Sequence, residues 1–374
     1  MSQTSAAPSR KARRARAAKA AKIYGIKGQQ SLDLHEAYNA LARGEVMTAV
    51  QLAHPVTKSH PANHHAWIVM GGAALAQREG KTAQAFFGEA AKIVPRDPVV
   101  LGGIAKAHVL EAEVEQAVTV AARAFGAGCD DLGLATLYLD LMSRLGRRLH
   151  AADVMTPMAK RAGDAGLCHR LGDLLLDAEE PGKAAVWYDR AWKLDPGPES
   201  HRIGRLRALL SQCRFAEAED MALTMMDSVV QRDEVVGLYM LLLRATGRAA
   251  EAERLANENR FLTPEGYARA RGVMANIHQD RGEWSDADAA YVEAMHVTGQ
   301  PGNMAKAYGV FLFREGKYAQ GAEHFALRFN DQQRAQVPLA NAAPENLGGL
   351  RRVILMVEQG VGDQLAFLPL LRLA

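Results

Sequence analysis

Residues 64–98 read HHAWIVMGGAALAQREGKTAQAFFGEAAKIVPRDP and form the clearest unit of an internal repeat. Counted from the first histidine, the unit places Trp67 at position 4, Gly71 at 8, Ala74 at 11, Ala83 at 20, Phe87 at 24, Ala90 at 27 and Pro95 at 32. Small residues at positions 8 and 20 let two helices approach closely, and an aromatic at position 24 fills the remaining space. Proline ends the second helix. The stretch therefore predicts a helical hairpin.

The same spacing recurs about every 34 residues along most of the chain. Later copies place small or aromatic residues in the same register: Leu101, Ala117, Ala121 and Ala124; Ala135, Ala151 and Met155; Gly172, Ala184, Tyr188 and Pro196; Ala218 and Ala222; Tyr239 and Ala252; Ala275, Ala287 and Tyr291; Gly309, Gly321 and Phe325. A weaker first copy holds Leu34, Tyr38, Leu41 and Val50. The repeat predicts about nine hairpins over residues 31–335, an all-α solenoid.

Two further expectations follow from the repeat. The aromatic residues at its core positions are predicted to pack inside: Trp67, Phe87, Trp187, Tyr188, Trp284 and Tyr291. The turns between the helices are predicted at glycines: Gly44, Gly80, Gly146, Gly182, Gly247, Gly282 and Gly316.

This set of positions resembles the tetratricopeptide repeat (TPR) family. The resemblance implies a right-handed superhelix whose concave groove, lined by the first helix of each repeat, binds a protein or peptide. The candidate groove residues are Asn39, Lys106, Asp140, Arg170, Asp173, Arg207, Arg244, Asn276 and Lys306. Neither a carboxylate-gripping Lys and Asn pattern nor a continuous asparagine ladder is present in the sequence. Each of these residues is also compatible with an ordinary solvated surface position.

Composition narrows the class of protein. The 374-residue chain has a net charge of +3, is 48% hydrophobic and contains only 6% aromatic residues. No apolar run is long enough to span a membrane. Three separated cysteines predict neither a disulfide framework nor a zinc site, and they favour a cytoplasmic location. Residues 31–335 contain no recognisable catalytic or metal-binding pattern, so we expect no cofactor there.

The first 30 residues contain eight basic residues and no acidic one; the basic residues are Arg10, Lys11, Arg13, Arg14, Arg16, Lys19, Lys22 and Lys27. We predict a disordered tail over residues 1–30. Two interpretations stay open for it: a mobile solvated segment, and a non-specific contact with polyanions. No sequence-specific binding of nucleic acid is predicted.

The period changes near the C-terminus. Residues 336–350, rich in Pro, Asn and Gly, read as a linker. In residues 351–374 an apolar run over 353–357 predicts a buried parallel strand. Gly360 and Gly362 predict a tight turn, and the apolar spacing after Gln364 predicts a helix. This is the opening βα unit of an α/β domain.

The combination of the repeats with VEQGVGDQLAFLPLL, residues 357–371, resembles the bacterial TPR-containing glycosyltransferases, whose second part has a heptosyltransferase-like GT-B fold. The resemblance implies that Asp363 is the base that deprotonates the acceptor hydroxyl, in an acceptor loop with Gly360 and Gly362. It also implies a nucleotide-sugar donor for a full-length enzyme, and a protein acceptor such as flagellin. Asp363 is equally compatible with a simple helix N-cap.

Three hypotheses follow. In the first, the chain is the acceptor-recruiting region of a protein glycosyltransferase, with a transferase domain cut short and inactive on its own. In the second, it is a stand-alone TPR adaptor without enzymatic activity. In the third, it is a scaffold that the basic tail tethers to a polyanion.

Overall fold

The structure is a computed structural model that describes residues 10–226, 232–298 and 302–327. Over these residues it contains nineteen helices and no strand. The helices are α1 Arg10–Tyr24, α2 Gln29–Ala42, α3 Val46–Ser59, α4 His64–Ala76, α5 Gly80–Ile93, α6 Pro98–Leu110, α7 Val114–Gly126, α8 Leu132–Arg144, α9 Arg148–Ala162, α10 Ala165–Asp177, α11 Pro181–Leu194, α12 Ser200–Ser211, α13 Phe215–Met226, α14 Arg232–Ala245, α15 Ala249–Glu258, α16 Pro264–Arg281, α17 Trp284–Thr298, α18 Gly302–Arg314 and α19 Tyr318–Ala326. The all-α prediction is confirmed for this part of the chain.

The helices form two compact units, α1 to α16 and α17 to α19, which are described separately. In the first unit, seven hairpins run from α2/α3 to α14/α15, and α1 and α16 stand before and after them. In the second unit, α17 precedes the hairpin α18/α19. Each hairpin of the first unit packs against the next, which is the arrangement expected of a helical-repeat array.

Glycine–aromatic packing holds the hairpins together. A Cβ atom built on Gly71 would lie 2.7 Å from the ring of Phe87, so the ring occupies the space of the missing side chain. Gly172 and Tyr188 repeat this relation, again at 2.7 Å. The predicted pairing of a small residue at position 8 with an aromatic at position 24 is therefore confirmed.

The same rings also touch the next repeat. A Cβ on Gly204, the fifth residue of the following first helix α12, would lie 2.3 Å from the ring of Tyr188. Tyr188 is fully buried, and it is thus enclosed by Gly172 of its own hairpin and Gly204 of the next. One aromatic side chain joins two repeats.

Side-chain caps define where the first helix of a hairpin begins. Asp131 accepts a hydrogen bond from Leu134 N at 2.9 Å, and Asp164 accepts one from Leu167 N at 2.6 Å. Asn63, Asp97 and Thr263 cap α4, α6 and α16 in the same way. These caps satisfy backbone N–H groups that have no partner within the helix.

The turns agree with the prediction at five of the seven glycines, which adopt positive φ: Gly44, Gly146, Gly247, Gly282 and Gly316. Gly80 and Gly182 are instead inside the first turns of α5 and α11. The left-handed turn residues there are Arg78 and Glu179, with φ of 62° and 60°. The prediction was wrong at these two turns because a single non-glycine residue can adopt this conformation at a modest cost.

The predicted disordered tail is wrong over Arg10–Tyr24, which forms α1. Ala20, Tyr24 and Ile26 are buried in a cluster with residues of α2, α3 and α4. The high alanine content explains the helix, since alanine has the highest helix propensity. The basic composition suggested disorder, but it did not reveal the buried side of the segment.

Most of the predicted core aromatics are buried. Phe87, Trp187, Tyr188 and Tyr291 are at most 8% exposed, whereas Trp284, at 43%, is not a core residue. Trp284 begins α17, at the start of the second unit. The remaining predicted segments, the linker 336–350 and the βα unit 351–374, lie outside the described residues. None of the described helices is long and apolar enough to cross a bilayer.

Candidate functional site

The predicted groove residues lie on the first helices of successive hairpins. We call the exposed polar side chains of these helices the first-helix face; its predicted members in the first unit are Asn39 on α2, Lys106 on α6, Asp140 on α8, Arg170 and Asp173 on α10, Arg207 on α12, Arg244 on α14 and Asn276 on α16. Lys306, on α18, belongs to the second unit and is half-buried there.

Ion pairs join neighbouring first helices on this face. Lys106 pairs with Asp131, the residue that caps α8. Burial alone would raise the pKa of Asp131, but hydrogen bonds from Lys106 and from the Leu134 N–H outweigh it and lower the pKa. One repeat further, Arg170 donates to Asp140 at 3.0 Å.

A second group of charges links α12, α14 and α16. Glu234 pairs with Arg207 of α12 and, at 3.7 Å, with Arg269 of α16. The side chain of Glu234 is 24% exposed, and those of Arg207 and Arg269 are 44% and 40% exposed. Two positive charges therefore share one negative charge at a position that solvent can reach.

Gly237 positions one of these arginines. A Cβ atom on Gly237 would lie 2.7 Å from Cδ of Arg269, so the aliphatic part of Arg269 lies directly on the backbone of α14. This contact directs the Arg269 guanidinium towards Glu234, which lies one turn before Gly237 on α14.

Further along α14, Arg244 forms a two-bond ion pair with Asp280 of α16. Its Nε and one terminal nitrogen donate to the two carboxylate oxygens at 2.6 and 2.9 Å. Such fork-to-fork pairs fix the geometry more strictly than a single contact. Asn276, on the same helix as Asp280, accepts a hydrogen bond from Gln279 at 3.5 Å.

Asp173 belongs to a different, partly buried cluster. It accepts a hydrogen bond from the Tyr188 hydroxyl at 2.7 Å, and His169 Nε2 lies 3.5 Å from its other oxygen. Burial, and then the hydrogen bond to Asp173, raise the pKa of Tyr188. The ring of His201 lies against that of His169, with the centroids 4.9 Å apart and the planes tilted by 54°. This cluster supports the packing between α10, α11 and α12 rather than an exposed groove.

Asn39 has a local role on α2. The pKa of Glu36 is lowered, first by its hydrogen bond with Arg43 and less by one with Asn39. Arg43 bridges Glu36 and Glu45, at 2.8 and 2.9 Å, at the end of the first hairpin's first helix. Asn39 is therefore part of a small surface network and lies apart from the ion pairs of α6 to α16.

The sequence analysis missed the partners of the predicted residues. Asp131, Glu234 and Asp280 were not predicted as members of the face, although they pair with Lys106, Arg207 and Arg244. Arg269, the second partner of Glu234, was not predicted either. A signal for them exists in the sequence: each partner lies 25–36 residues from the other, about one repeat away. Opposite charges separated by one repeat on first helices thus indicate contacts between repeats.

The predicted catalytic and acceptor-loop residues, Asp363, Gly360 and Gly362, lie outside the described residues. Among the described residues, Cys129 and Cys168 are buried free thiols and Cys213 is an exposed free thiol. Burial raises the pKa of Cys129 and Cys168 above the ordinary range, which makes them poor nucleophiles.

No protein-family model matches the chain, and no curated protein matches it. Solved structures of helical-repeat proteins are similar to parts of it. YrrB, described as a TPR protein with an unusual peptide-binding site, is 14% identical over 52% of this chain and 97% of its own, with a TM-score of 0.39. The C-terminal part of a TPR repeat-containing protein from Cytophaga hutchinsonii is 11% identical over 73% of this chain and 98% of its own, with a TM-score of 0.44.

A third similar structure is that of Naa15/Naa10 bound to HypK-THB. It is 14% identical over 80% of this chain and 50% of its own, with a TM-score of 0.48. The class of this protein is defined by its own packing: hairpins of helices with a small residue against an aromatic at tetratricopeptide positions. Over the described residues it is a helical-repeat protein.

Proposed function

We propose that this protein is a scaffold that binds an extended segment of another protein along the first-helix face. One observation carries the proposal: exposed charges on successive first helices pair with each other across repeats, from Lys106–Asp131 to Arg244–Asp280. These pairs form a row of oriented, solvent-accessible donors and acceptors on a rigid array.

The energetics suit a binding surface. An exposed ion pair contributes about 0–1 kcal/mol to stability because water screens it. Exchanging such a pair for contacts with a bound chain therefore costs little. Charged contacts of this kind affect the choice of partner and the association rate more than they affect the affinity itself.

The chemistry of one contact can be specified. Arg207 and Arg269 share Glu234, which leaves one positive charge in excess at this place. An acidic side chain of the bound segment fits here, since arginine forms strong charge-assisted hydrogen bonds with carboxylates. We therefore expect the partner to place an Asp or Glu against α12, α14 and α16.

A peptide-display selection on the full chain tests this scaffold function. The selected peptides are expected to contain a recurrent acidic position and to lose affinity about 10-fold or more for the Arg207→Gln/Arg269→Gln variant. The control is Arg96→Gln/Arg123→Gln, which removes the same charge from exposed positions on other elements. If selection yields no binder, or if both variants bind the peptides equally, the proposed face is wrong.

We propose further that the bound protein is the acceptor in a sugar-transfer reaction, with flagellin as one candidate. The support is the resemblance of residues 357–371 to glycosyltransferases, together with the scaffold function. In this reaction Asp363 takes the proton of the acceptor hydroxyl, and the hydroxyl oxygen attacks the anomeric carbon of a nucleotide sugar. The nucleotide diphosphate leaves, and the new glycosidic bond has inverted configuration.

The second hypothesis, an adaptor without enzymatic activity, differs in that the protein would neither bind a nucleotide sugar nor transfer its sugar. The natural full-length protein is titrated calorimetrically with uridine and guanosine diphosphate sugars, and sugar transfer to bound protein is followed by mass spectrometry. Transfer that disappears in Asp363→Asn supports the glycosyltransferase. Peptide binding without nucleotide-sugar binding supports the adaptor.

A further inference from the structure

Helix α1 concentrates positive charge at one end of the first unit. Its sequence, RKARRARAAKAAKIY, contains seven basic residues and no acidic one. Because the first acidic residue of the chain is Asp33, nothing within the helix neutralises this charge. The distribution of these charges around the helix decides what they can do.

One side of α1 is docked on the array. Ala20 and Tyr24 are buried, and Ala17 and Ala21 are half-buried, which is the i, i+3, i+4, i+7 spacing of a packed helix face. Asn63 donates a hydrogen bond to the Tyr24 carbonyl at 2.6 Å, and the Tyr24 ring stacks on Tyr38 with centroids 5.6 Å apart. The C-terminal half of the helix is therefore fixed in orientation.

The exposed surface of the helix carries the cations. Arg16, Lys19 and Lys22 are exposed and lie opposite the docked side, while the exposed Arg14 lies one turn before Ala17. Over the part of the chain that the structure describes, no carboxylate forms an ion pair with any of these four side chains. The docking thus leaves a helix whose exposed surface, its outer face, is cationic over about 12 Å from Arg14 to Lys22 at 1.5 Å per residue.

We propose that this outer face of α1 binds the phosphate backbone of double-stranded nucleic acid, without sequence preference. Four unneutralised cations on the exposed surface of one helix match the dense negative charge of a duplex, whose binding releases condensed counterions.

The chemistry of the face distinguishes the duplex from other polyanions. Single-stranded nucleic acid is bound through aromatic stacking, and the one aromatic ring of α1, Tyr24, is buried in the docking contact. Insertion into a membrane surface needs an apolar stripe beside the basic one. The exposed side between Arg14 and Tyr24 offers Ile23 as its one large apolar side chain.

Fluorescence anisotropy with a labelled 20-base-pair duplex, using the full chain, tests the proposal. We plot the logarithm of the association constant of the wild-type protein against the logarithm of the salt concentration. The slope of this plot is expected to be steeper than about −3, since each neutralised phosphate contributes about −0.9. The variant Arg14→Gln/Arg16→Gln/Lys19→Gln/Lys22→Gln is expected to lose about 3 to 4 units of this slope and at least 10-fold in affinity at 100 mM salt.

The matched control is Lys58→Gln/Lys81→Gln/Arg96→Gln/Arg123→Gln, which removes two arginines and two lysines from exposed positions elsewhere in the first unit. It is expected to retain binding within about 3-fold. The proposal is overturned if the two variants lose equal affinity, or if the wild-type protein does not bind the duplex. It is also overturned if vesicles with 30% phosphatidylglycerol, or a single strand of equal length, bind more tightly than the duplex. Unchanged circular dichroism and unfolding midpoints of both variants show that folding is intact.

Discussion

The carboxylate of Asp233 accepts two hydrogen bonds from Thr263, one from the backbone N–H and one from the hydroxyl group, each at 2.8 Å. Asp233 lies in the first turn of α14 and is 7% exposed, while Thr263 is the N-cap of α16. The Thr263 hydroxyl oxygen in turn accepts from Gly266 N at 3.0 Å. The side chain of one repeat thus determines where the first helix of the next repeat begins.

Removing this carboxylate should destabilise the end of the first unit. We expect Asp233→Ala to lower the free energy of unfolding by about 2–4 kcal/mol, because the backbone N–H groups of Leu262 and Thr263 and the Thr263 hydroxyl lose a buried acceptor. Denaturant unfolding followed by circular dichroism measures this change. Asp153→Asn, at an exposed helical position, serves as the control and should shift the unfolding midpoint very little.

The enclosed aromatic rings make a second prediction possible. A Cβ on Gly103 would lie 2.3 Å from Phe87, and one on Gly204 would lie equally close to Tyr188. Gly103→Ala and Gly204→Ala should each destabilise the protein by about 1–3 kcal/mol through overpacking. Gly88→Ala, at a helical position with no neighbouring atom within 4 Å, should be neutral or stabilising by up to about 1 kcal/mol. Equal effects at the three positions would contradict the packing described.

His201 makes the stability depend on pH. Burial, and then the charge of His169, lower the pKa of His201 below its ordinary value of 6.5, whereas Asp195 and Asp173 oppose this more weakly. The unfolded chain therefore binds a proton at a pH where the folded protein does not. Stability is full above about pH 6.5 and is lost as the pH falls through the lowered pKa of His201.

Unfolding midpoints between pH 7.5 and 5 measure this dependence. His201→Leu should reduce the slope, and it should not abolish it, because burial also lowers the pKa of His65. The exposed His150 provides the control, since His150→Gln should leave the slope unchanged. A His201→Leu slope equal to that of the wild type would assign the pH dependence to other groups.

The ion pairs of the first-helix face should contribute little to folding. We expect Arg207→Gln to change the free energy of unfolding by less than about 1 kcal/mol, because both partners are partly exposed. The same variant combined with Arg269→Gln is predicted to weaken peptide binding. A large loss of stability would mean that this pair is structural.

Docking of α1 can be tested by proteolysis. Tyr24→Ala removes the ring that packs on Tyr38 and should expose the basic residues of α1 to trypsin. If the Tyr24 contact stabilises docking by about 1.4 kcal/mol, the initial cleavage rate within α1 should increase about 10-fold. The cleavage sites are Arg14, Arg16, Lys19 and Lys22. Ile23→Ala changes a neighbouring side chain that is 49% exposed and should have little effect. Equal cleavage of the two variants would show that Tyr24 does not hold the helix.

The repeat positions predicted the hairpins because small and aromatic residues at fixed spacing have one efficient packing, seen at Gly71 and Phe87. They could not predict α1, since a basic, alanine-rich segment forms a docked helix only when a partner surface is available for Ala20 and Tyr24. They also failed at Gly80, because the φ of 62° is adopted by Arg78 two residues earlier.

The groove residues were predicted only as single positions. Whether Arg207 contacts solvent or a carboxylate depends on which side chain of the next repeat lies opposite it. That side chain can be identified only when the distance between the two first helices is known. Opposite charges one repeat apart indicate a contact, but only the structure shows that Glu234 pairs with both Arg207 and Arg269. The role of Asp363 stays a prediction.

The rings of Phe87 and Tyr188, each shared between two consecutive hairpins, have a consequence for how such a protein can be lengthened or shortened. Deleting the hairpin α6/α7 would leave Phe87 facing a helix that begins with different residues, and a duplicated hairpin would need a glycine near the start of its own first helix. Recombination between hairpins keeps the contact of Phe87 with Gly71 and breaks the one with Gly103, whereas recombination within a hairpin does the reverse. A repeat can therefore be copied without loss only when the glycines on both sides of the ring are copied with it.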